Sequence, residues 1–339
     1  MLFQTNTPIS IETAFEVLFI WIPMFSDEEF FAFLPSIGEQ IIAALSLDSV
    51  DIQTAAYNVF SQMISRFPGP LESPFSDMLT SLLQFFNELM AQGNPASFKV
   101  GNIIDKVIES NQGCFEPSEL ITIFIQIALD DRISPEYYYL IFSPILLIIN
   151  NCDINLLKQY VPDILKISVI CIAKSLDDEC YTEDSTSKCI TQAIEDLIRT
   201  MNNEKLYGVA LSLMSEETIN EAYSTVVILS IFLQESQAIA IKHSAEIATQ
   251  LLKYSNAEIH HTVYEVSLIA LSFLIEANGN KLSAFYDPIM QSCLIALESN
   301  HPTLIINSIN TLTMAANNMD FNNVYLESLI NKIAELSAE

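Results

Sequence analysis

The chain has 339 residues, half of them hydrophobic, with only 7 glycines and no alternating apolar–polar run, which supplies a large core and argues against a sheet-rich fold. Its 14 basic against 42 acidic residues leave a formal net charge of −28. Such a surface repels phosphate backbones and anionic lipids, so neither direct nucleic-acid binding nor membrane insertion is expected, whereas basic protein segments are attracted.

In chain order, Glu12–Ile22 reads as an apolar helix containing Trp21, the only tryptophan. The first basic residues are Arg66 and Lys99, so no positively charged signal or transit segment is expected before them. Phe33–Leu47 and Val50–Arg66 follow as a helix pair broken at Asp48-Ser49, and Ile52, Ala56, Val59 and Met63 share one face of the second. The run from Arg66 to Pro70 is a firm stop. Phe75–Met90 and Phe98–Glu109 form the next pair, and Pro117–Leu129 and Pro135–Asn150 the one after. The most apolar window, Tyr137–Ile149, is short and holds Ser143 and Pro144. Lys166, Lys174 and Glu265 interrupt the later runs, below the ~18 uninterrupted residues a membrane span needs. Leu156–Leu176 reads as one long helix, then a polar segment, then Lys188–Met201, Lys205–Met214 and Glu216–Leu233. Two further pairs occupy Ile241–Ala277 and Ser283–Asn317, and Asn323–Leu336 reads as the first helix of another pair.

The last two pairs carry the repeat. Phe285, Ile289, Cys293 and Leu297 fall every four residues, and Pro302 sits where a helix starts without needing a donor. Ile305, Ile309, Leu312 and Ala316 then make a four-three-four stripe that Ile259, Val263, Val266 and Ala270 repeat 46 residues earlier. The second helices are expected to begin near 50, 98, 134, 186, 216, 258 and 302, a mean interval of 42 residues. A two-helix unit repeating at about 40–47 residues is the mark of HEAT and armadillo arrays. The expected fold is therefore all-α: an α-solenoid of about seven helix pairs, coiled as a right-handed superhelix. No long linker interrupts it, so residues 1–339 are expected to form a single continuous array. Both ends look uncapped, because the first helix is apolar on more than one face, and the array is expected to be incomplete at both ends.

The search for chemistry returns little. Neither GxGxxG nor GxxxxGK[ST] occurs, so no phosphate-binding loop and no nucleotide cofactor are expected. His260 and His261 are adjacent, point about 100° apart on a helix and cannot chelate one metal as i, i+4 ligands would. The six cysteines show no CxxC, fall among apolar residues and read as reduced, packed thiols; none has a local histidine base. Paired carboxylates such as Asp27-Glu28-Glu29 and Glu216-Glu217 sit at helix starts and offset the macrodipole. No catalytic residue, metal or cofactor is assigned, and an enzyme is not expected. The candidate partner-binding site is the polar segment with Asp177, Asp178, Glu179, Glu183 and Asp184, five carboxylates within eight residues and no cation before Lys188. It reads either as an acidic dock for a basic ligand or as a solvated loop. Second helices line the inner face of solenoids, so the partner surface is expected along Val50–Arg66, Lys188–Met201 and Ile259–Ala277.

Several stretches resemble the importin-β (karyopherin-β) superfamily, nearest its transportin-SR and importin-thirteen-like branch. Ala14-Phe-Glu-Val-Leu-Phe-Ile-Trp21 is similar to the short tryptophan-ended helix found after the first third of these receptors, and is followed by a pair containing Ile52-Gln-Thr-Ala-Ala-Tyr57. Tyr160-Val-Pro162, Asp177-Asp-Glu-Cys-Tyr181 and Glu195-Asp-Leu197 resemble the family's long helix, acidic insert and acid-bearing helix. Asn220-Glu-Ala-Tyr223, Thr262–Leu274 and Phe285-Tyr-Asp-Pro-Ile289 follow in the expected order. The resemblance implies a central fragment of a nuclear transport receptor, working in cytoplasm and nucleus. It binds protein cargo, with the Ran GTPase engaged through N-terminal repeats that lie outside this sequence. The arginine-rich helix that transportin-SR uses for phosphorylated cargo has no counterpart, since Arg66, Arg132 and Arg199 are the only arginines. The alternative from another class is a static HEAT-repeat assembly scaffold, of the phosphatase-scaffold or coat-adaptor kind.

Overall fold

The computed structural model describes residues 8–66, 75–110, 117–151, 154–176, 186–201, 203–215 and 217–319, together with Tyr325 and Ile330. Every regular element among them is helical. Two compact units emerge: Met1–Tyr160 with Asp184–Cys189, and Val161–Glu183 with Ile190–Glu339.

The first unit holds α1 (Pro8–Trp21), α2 (Asp27–Leu45), α3 (Val50–Ile64), α4 (Phe75–Ala91), α5 (Ala96–Ser110), α6 (Pro117–Ala128), α7 (Tyr138–Asn151) and the single turn α8 (Ile154–Leu157). Helix α2 starts six residues ahead of the expected Phe33. A capping box at Ser26 explains the difference: its hydroxyl accepts from the Glu29 amide, and the Glu29 carboxylate accepts from the Ser26 amide at 2.9 Å. Ile52, Ala56, Val59 and Met63 are all buried, as their spacing requires. Helices α1, α3, α5 and α7 pack side by side in one layer, with α2 behind α3, α4 behind α5 and α6 behind α7. Phe15, Phe30, Phe60, Phe86, Phe124 and Phe142 fill the space between the layers, each without solvent exposure. Burial of each stabilises the unit by about 1.5–3 kcal/mol. At the end of α3, Arg66 lies over the Phe30 ring at 4.3 Å, pairs with Asp27 and donates to the Ile22 carbonyl at 2.9 Å. One side chain thereby ties α3 to the start of α2.

The second unit holds α9 (Val161–Lys174), most of α10 (Thr186–Thr200), α11 (Asn203–Leu213), α12 (Ile219–Glu235), α13 (Gln237–Lys242), α14 (Ser244–Lys253), α15 (His261–Asn278), α16 (Tyr286–Leu297) and α17 (Pro302–Asn318). The long helix expected over Leu156–Leu176 is broken: a turn at Lys158–Tyr160 separates α8 from α9, whose first turn contains the donor-less Pro162. Helix α12 begins at a second capping box, Thr218 with Glu221. Helices α9, α12, α15 and α17 pack in succession, with α11 against α9, α13 and α14 against α15, and α16 against α17. Gly279 ends α15 at φ +52°, and a Cβ there would meet the Asn318 carbonyl oxygen at 2.7 Å. Only glycine satisfies both conditions.

The repeat step is shorter here than the apolar stripes indicate. His260 and His301, the N-caps of α15 and α17, are 41 residues apart, not 46. At that step Val263, Ser267, Ala270, Leu271 and Leu274 map onto Leu304, Ser308, Thr311, Leu312 and Ala315, and all ten are buried. Ile309, assigned to the buried stripe with Ile305, Leu312 and Ala316, is 40% exposed, and Ala316 is exposed as well. Hydroxyl chemistry accounts for the correction. Ser308 donates to the Cys293 carbonyl at 2.7 Å and Thr311 to that of Leu268 at 2.9 Å, so both enter the core with their polar groups satisfied. Counting apolar residues alone turns α17 by one position.

No described helix is long and apolar enough to cross a membrane. Apart from Tyr325 and Ile330, the helix expected over Asn323–Leu336 lies outside the described residues.

Candidate functional site

Residues of α1, α3 and α5 enclose a groove of about 420 Å³. Helix α1 contributes Glu12, Phe15, Glu16, Phe19 and Ile20, helix α3 Asp51, Thr54, Ala55 and Asn58, and helix α5 Ala96 and Lys99. On α1 and α3 these positions recur at three- and four-residue steps, one face of each helix. Phe15 is fully buried and forms the floor, while Ile20 stands 57% exposed at the wall. Three carboxylates, Glu12, Glu16 and Asp51, face one ammonium, Lys99. Thr54 is 6% exposed, and its hydroxyl has no hydrogen-bond partner. An apolar trough rimmed by carboxylates suits a long side chain with a cationic tip, the alkyl stem lying on Phe15, Phe19 and Ala55 and the charge reaching the rim.

A second acidic spot lies in the same unit. Asp105 of α5 accepts a hydrogen bond from Ser143 of α7 at 2.8 Å through Oδ2, and its buried Oδ1 has no partner. Burial pushes this carboxyl up to about 6, the Ser143 bond opposes the shift, and the Glu109 charge adds to it. Among the described residues, no cation is a cause of the shift. Tyr139 of α7 and the half-buried Cys189 at the start of α10 are close enough for Asp105 to raise their pKa values as well, although burial is the larger cause for both.

The acidic segment singled out from sequence, Asp177, Asp178, Glu179, Glu183 and Asp184, lies outside the described residues. Of the three surfaces expected to face a partner, Val50–Arg66 supplies Asp51, Thr54, Ala55 and Asn58 to the groove. Sequence reasoning missed Glu12, Glu16, Phe19 and Lys99. The signal for them is the apolar character of α1 on more than one face, which fits a groove as well as an uncapped end. On α10, Arg199 bridges Glu195, Asp196 and Glu235, and so ties this helix to the end of α12. Cys171 and Cys293 are fully buried, and burial pushes each thiol up to about 12, far from a nucleophile. Among the described residues, no group of three or more His, Cys, Asp or Glu side chains is placed to hold a metal ion.

No family model matches the sequence, and no curated protein is similar to it. Solved structures are. The karyopherin Kap121p bound to the extreme C-terminus of the protein phosphatase Cdc14p superposes with a TM-score of 0.67 over 97% of this chain, at 14% identity. The fold is an all-α, HEAT-like solenoid. Kap121p alone aligns with 99% of the chain at a TM-score of 0.64 and 14% identity, and Kap121p bound to RanGTP with 93% at 0.59 and 15%. The chain spans 38% of the length of free Kap121p, 39% of the Cdc14p-bound chain and 36% of the RanGTP-bound chain.

Proposed function

We propose that the protein is a nuclear transport receptor-like scaffold of importin-β type, which binds basic segments of protein cargo under control of the Ran GTPase and works in both cytoplasm and nucleus. The observation that carries this reading is the likeness of nearly the whole chain to Kap121p, whose structures include complexes with Cdc14p, with Pho4p and with RanGTP. The mechanism is differential binding: cargo and Ran-GTP favour different superhelical pitches of the array, so each alters the affinity for the other. Such a device needs no catalytic residue and no cofactor. Supporting the transportin-SR-like branch are the Ala14–Trp21 and Tyr160–Pro162 segments.

Cargo contact is assigned to the groove of Glu12, Glu16 and Asp51, to Asp105, and to the acidic run Asp177, Asp178, Glu179, Glu183 and Asp184. With a net charge of −28, encounter with a lysine-rich segment is steered over a distance, and the rim carboxylates then hold the ammonium groups. The test is fluorescence anisotropy with a lysine-rich peptide and a glutamate-rich peptide of equal length, on wild type and on Glu12→Gln/Glu16→Gln/Asp51→Asn. Selective binding of the basic peptide that the triple variant weakens supports the reading. Equal affinity for both peptides, or an unaffected variant, removes it.

A further inference from the structure

At the edge of the second unit three imidazoles form a stack. His261, the first residue of α15, lies parallel to His301, the N-cap of α17, with centroids 4.2 Å apart and an interplanar angle of 3°. The ring of His260, the N-cap of α15, lies 4.5 Å from that of His261 at 32°. The stack is not among groups of described residues placed to hold a metal ion. It joins the starts of two neighbouring helices. Directly beneath it, the Tyr264 amide donates to the His260 carbonyl and the Ile305 amide to the His301 carbonyl, each at 3.1 Å, the opening bonds of α15 and α17. A cavity of about 510 Å³ runs alongside, lined by Ile259, Tyr264, Ile295, Glu298 and Leu304 among others, so the rings have room to part.

We propose that the His260–His261–His301 stack is an acid-sensitive clasp: neutral imidazoles hold the N-termini of α15 and α17 together, and acidification splits them. Each ring sits at the positive end of a helix dipole, where a cation is disfavoured, and a second proton would place like charges within one ring-stacking distance. Burial and the His301 and His260 charges hold His261 below its ordinary range, against the pull of Glu265. The other charged groups at this edge are three carboxylates, Glu258, Glu265 and Glu298, and Lys253, and among the described residues none forms an ion pair with the stack. Glu265 is already engaged by the Thr303 hydroxyl of α17. Glu298 lines the cavity from the α16–α17 turn, and Glu258 belongs to the α14–α15 turn. Lys253 at the end of α14 lies over Tyr254, and Glu221 at the start of α12 is held by Ser215 and Thr218. The sign follows from linkage. A histidine whose folded pKa is depressed binds its proton more readily when released, so the clasp loses stability as pH falls from about 6.5 downward.

The experiment is hydrogen exchange of the whole chain at pH 7.5 and pH 5.5, corrected for the intrinsic pH dependence of exchange, reading the amides of Tyr264 and Ile305. At pH 5.5 their protection should drop at least fivefold, while the α12 amides of Val226–Leu229 keep theirs. In His261→Phe/His301→Phe, whose rings stack without titrating, protection should be the same at both pH values. If the double variant misfolds, His301→Gln takes its place and should remove most of the pH effect. Wild-type protection that does not change with pH overturns the clasp. So does an equal loss in a folded variant, which would trace the acid response to groups other than the stack.

Discussion

Asp105→Asn tests the energetics of the α5–α7 packing most sharply. In the folded chain the Asp105 carboxyl is pushed from its ordinary 3.8 to about 6, chiefly by burial. Each pH unit is worth about 1.4 kcal/mol, so keeping this group ionised in the folded state at neutral pH costs ~3 kcal/mol relative to the unfolded chain. A folded pKa raised above the unfolded one means that the group's contribution is fully present below about pH 4 and is lost as pH rises through about 6. Asparagine keeps the shape, still accepts from the Ser143 hydroxyl and cannot ionise, but it leaves an amide with incomplete partners, which returns about 1–2 kcal/mol of the gain. The net expectation is a stabilisation of roughly 1–2 kcal/mol at pH 7.5, a rise of about 2–8 °C in the melting temperature of a unit of this size. At pH 4 the advantage should vanish or reverse. Differential scanning fluorimetry of both proteins from pH 4 to 8 gives the two curves. Parallel curves, or a variant less stable than wild type at pH 7.5, would refute the assignment of Asp105 as an uncompensated buried acid.

Other expectations follow from the same structure. Gly279→Ala forces a Cβ against the Asn318 carbonyl oxygen at φ +52° and should lower the stability of the second unit by roughly 1–3 kcal/mol in urea melts, with little change in the first. The groove variant Glu12→Gln/Glu16→Gln/Asp51→Asn should bind a lysine-rich peptide several-fold more weakly than wild type, each exposed pair contributing about 0.2–1 kcal/mol. Replacing Asp177, Asp178, Glu179, Glu183 and Asp184 by Ser or Asn should slow association with the same peptide and barely alter dissociation. Stopped-flow traces at low salt and at ~0.15 M, where charges beyond about 8 Å are screened, separate the two rates.

Much of the fold was legible in the sequence because few glycines, apolar stripes at helical steps and breaks at Ser-Asn, Asp-Ser and Gly-Asn-Pro leave little besides stacked helix pairs. Ile52, Ala56, Val59 and Met63 show the rule working: one face, all apolar, all buried. Helix α17 shows where it fails, since Ser308 and Thr311 satisfy their own hydroxyls on backbone carbonyls and enter the core as readily as leucine. Helix α2 was begun too late because its start is written in Ser26 and Glu29, a polar signal ahead of the apolar run. The groove was harder to see. Its residues come from three helices more than thirty residues apart, and Phe15 serves the core and the groove floor at once. Likewise His260, His261 and His301 looked like an adjacent pair and a distant single residue; the 41-residue step that brings the third ring onto the second was hidden by the false 46-residue register.

The most direct test of the central claim is where a basic segment lands. A lysine-rich peptide with a photo-reactive group beside its central lysine, cross-linked to residues 1–339 and mapped by mass spectrometry, should mark α1 and α3 at Phe19, Ala55 and Asn58. The marks should fade when unlabelled peptide is added in excess or Glu12, Glu16 and Asp51 are neutralised. Cross-links spread evenly over the acidic surface, or confined to segments away from α1, α3 and α5, would contradict a cargo groove on α1, α3 and α5.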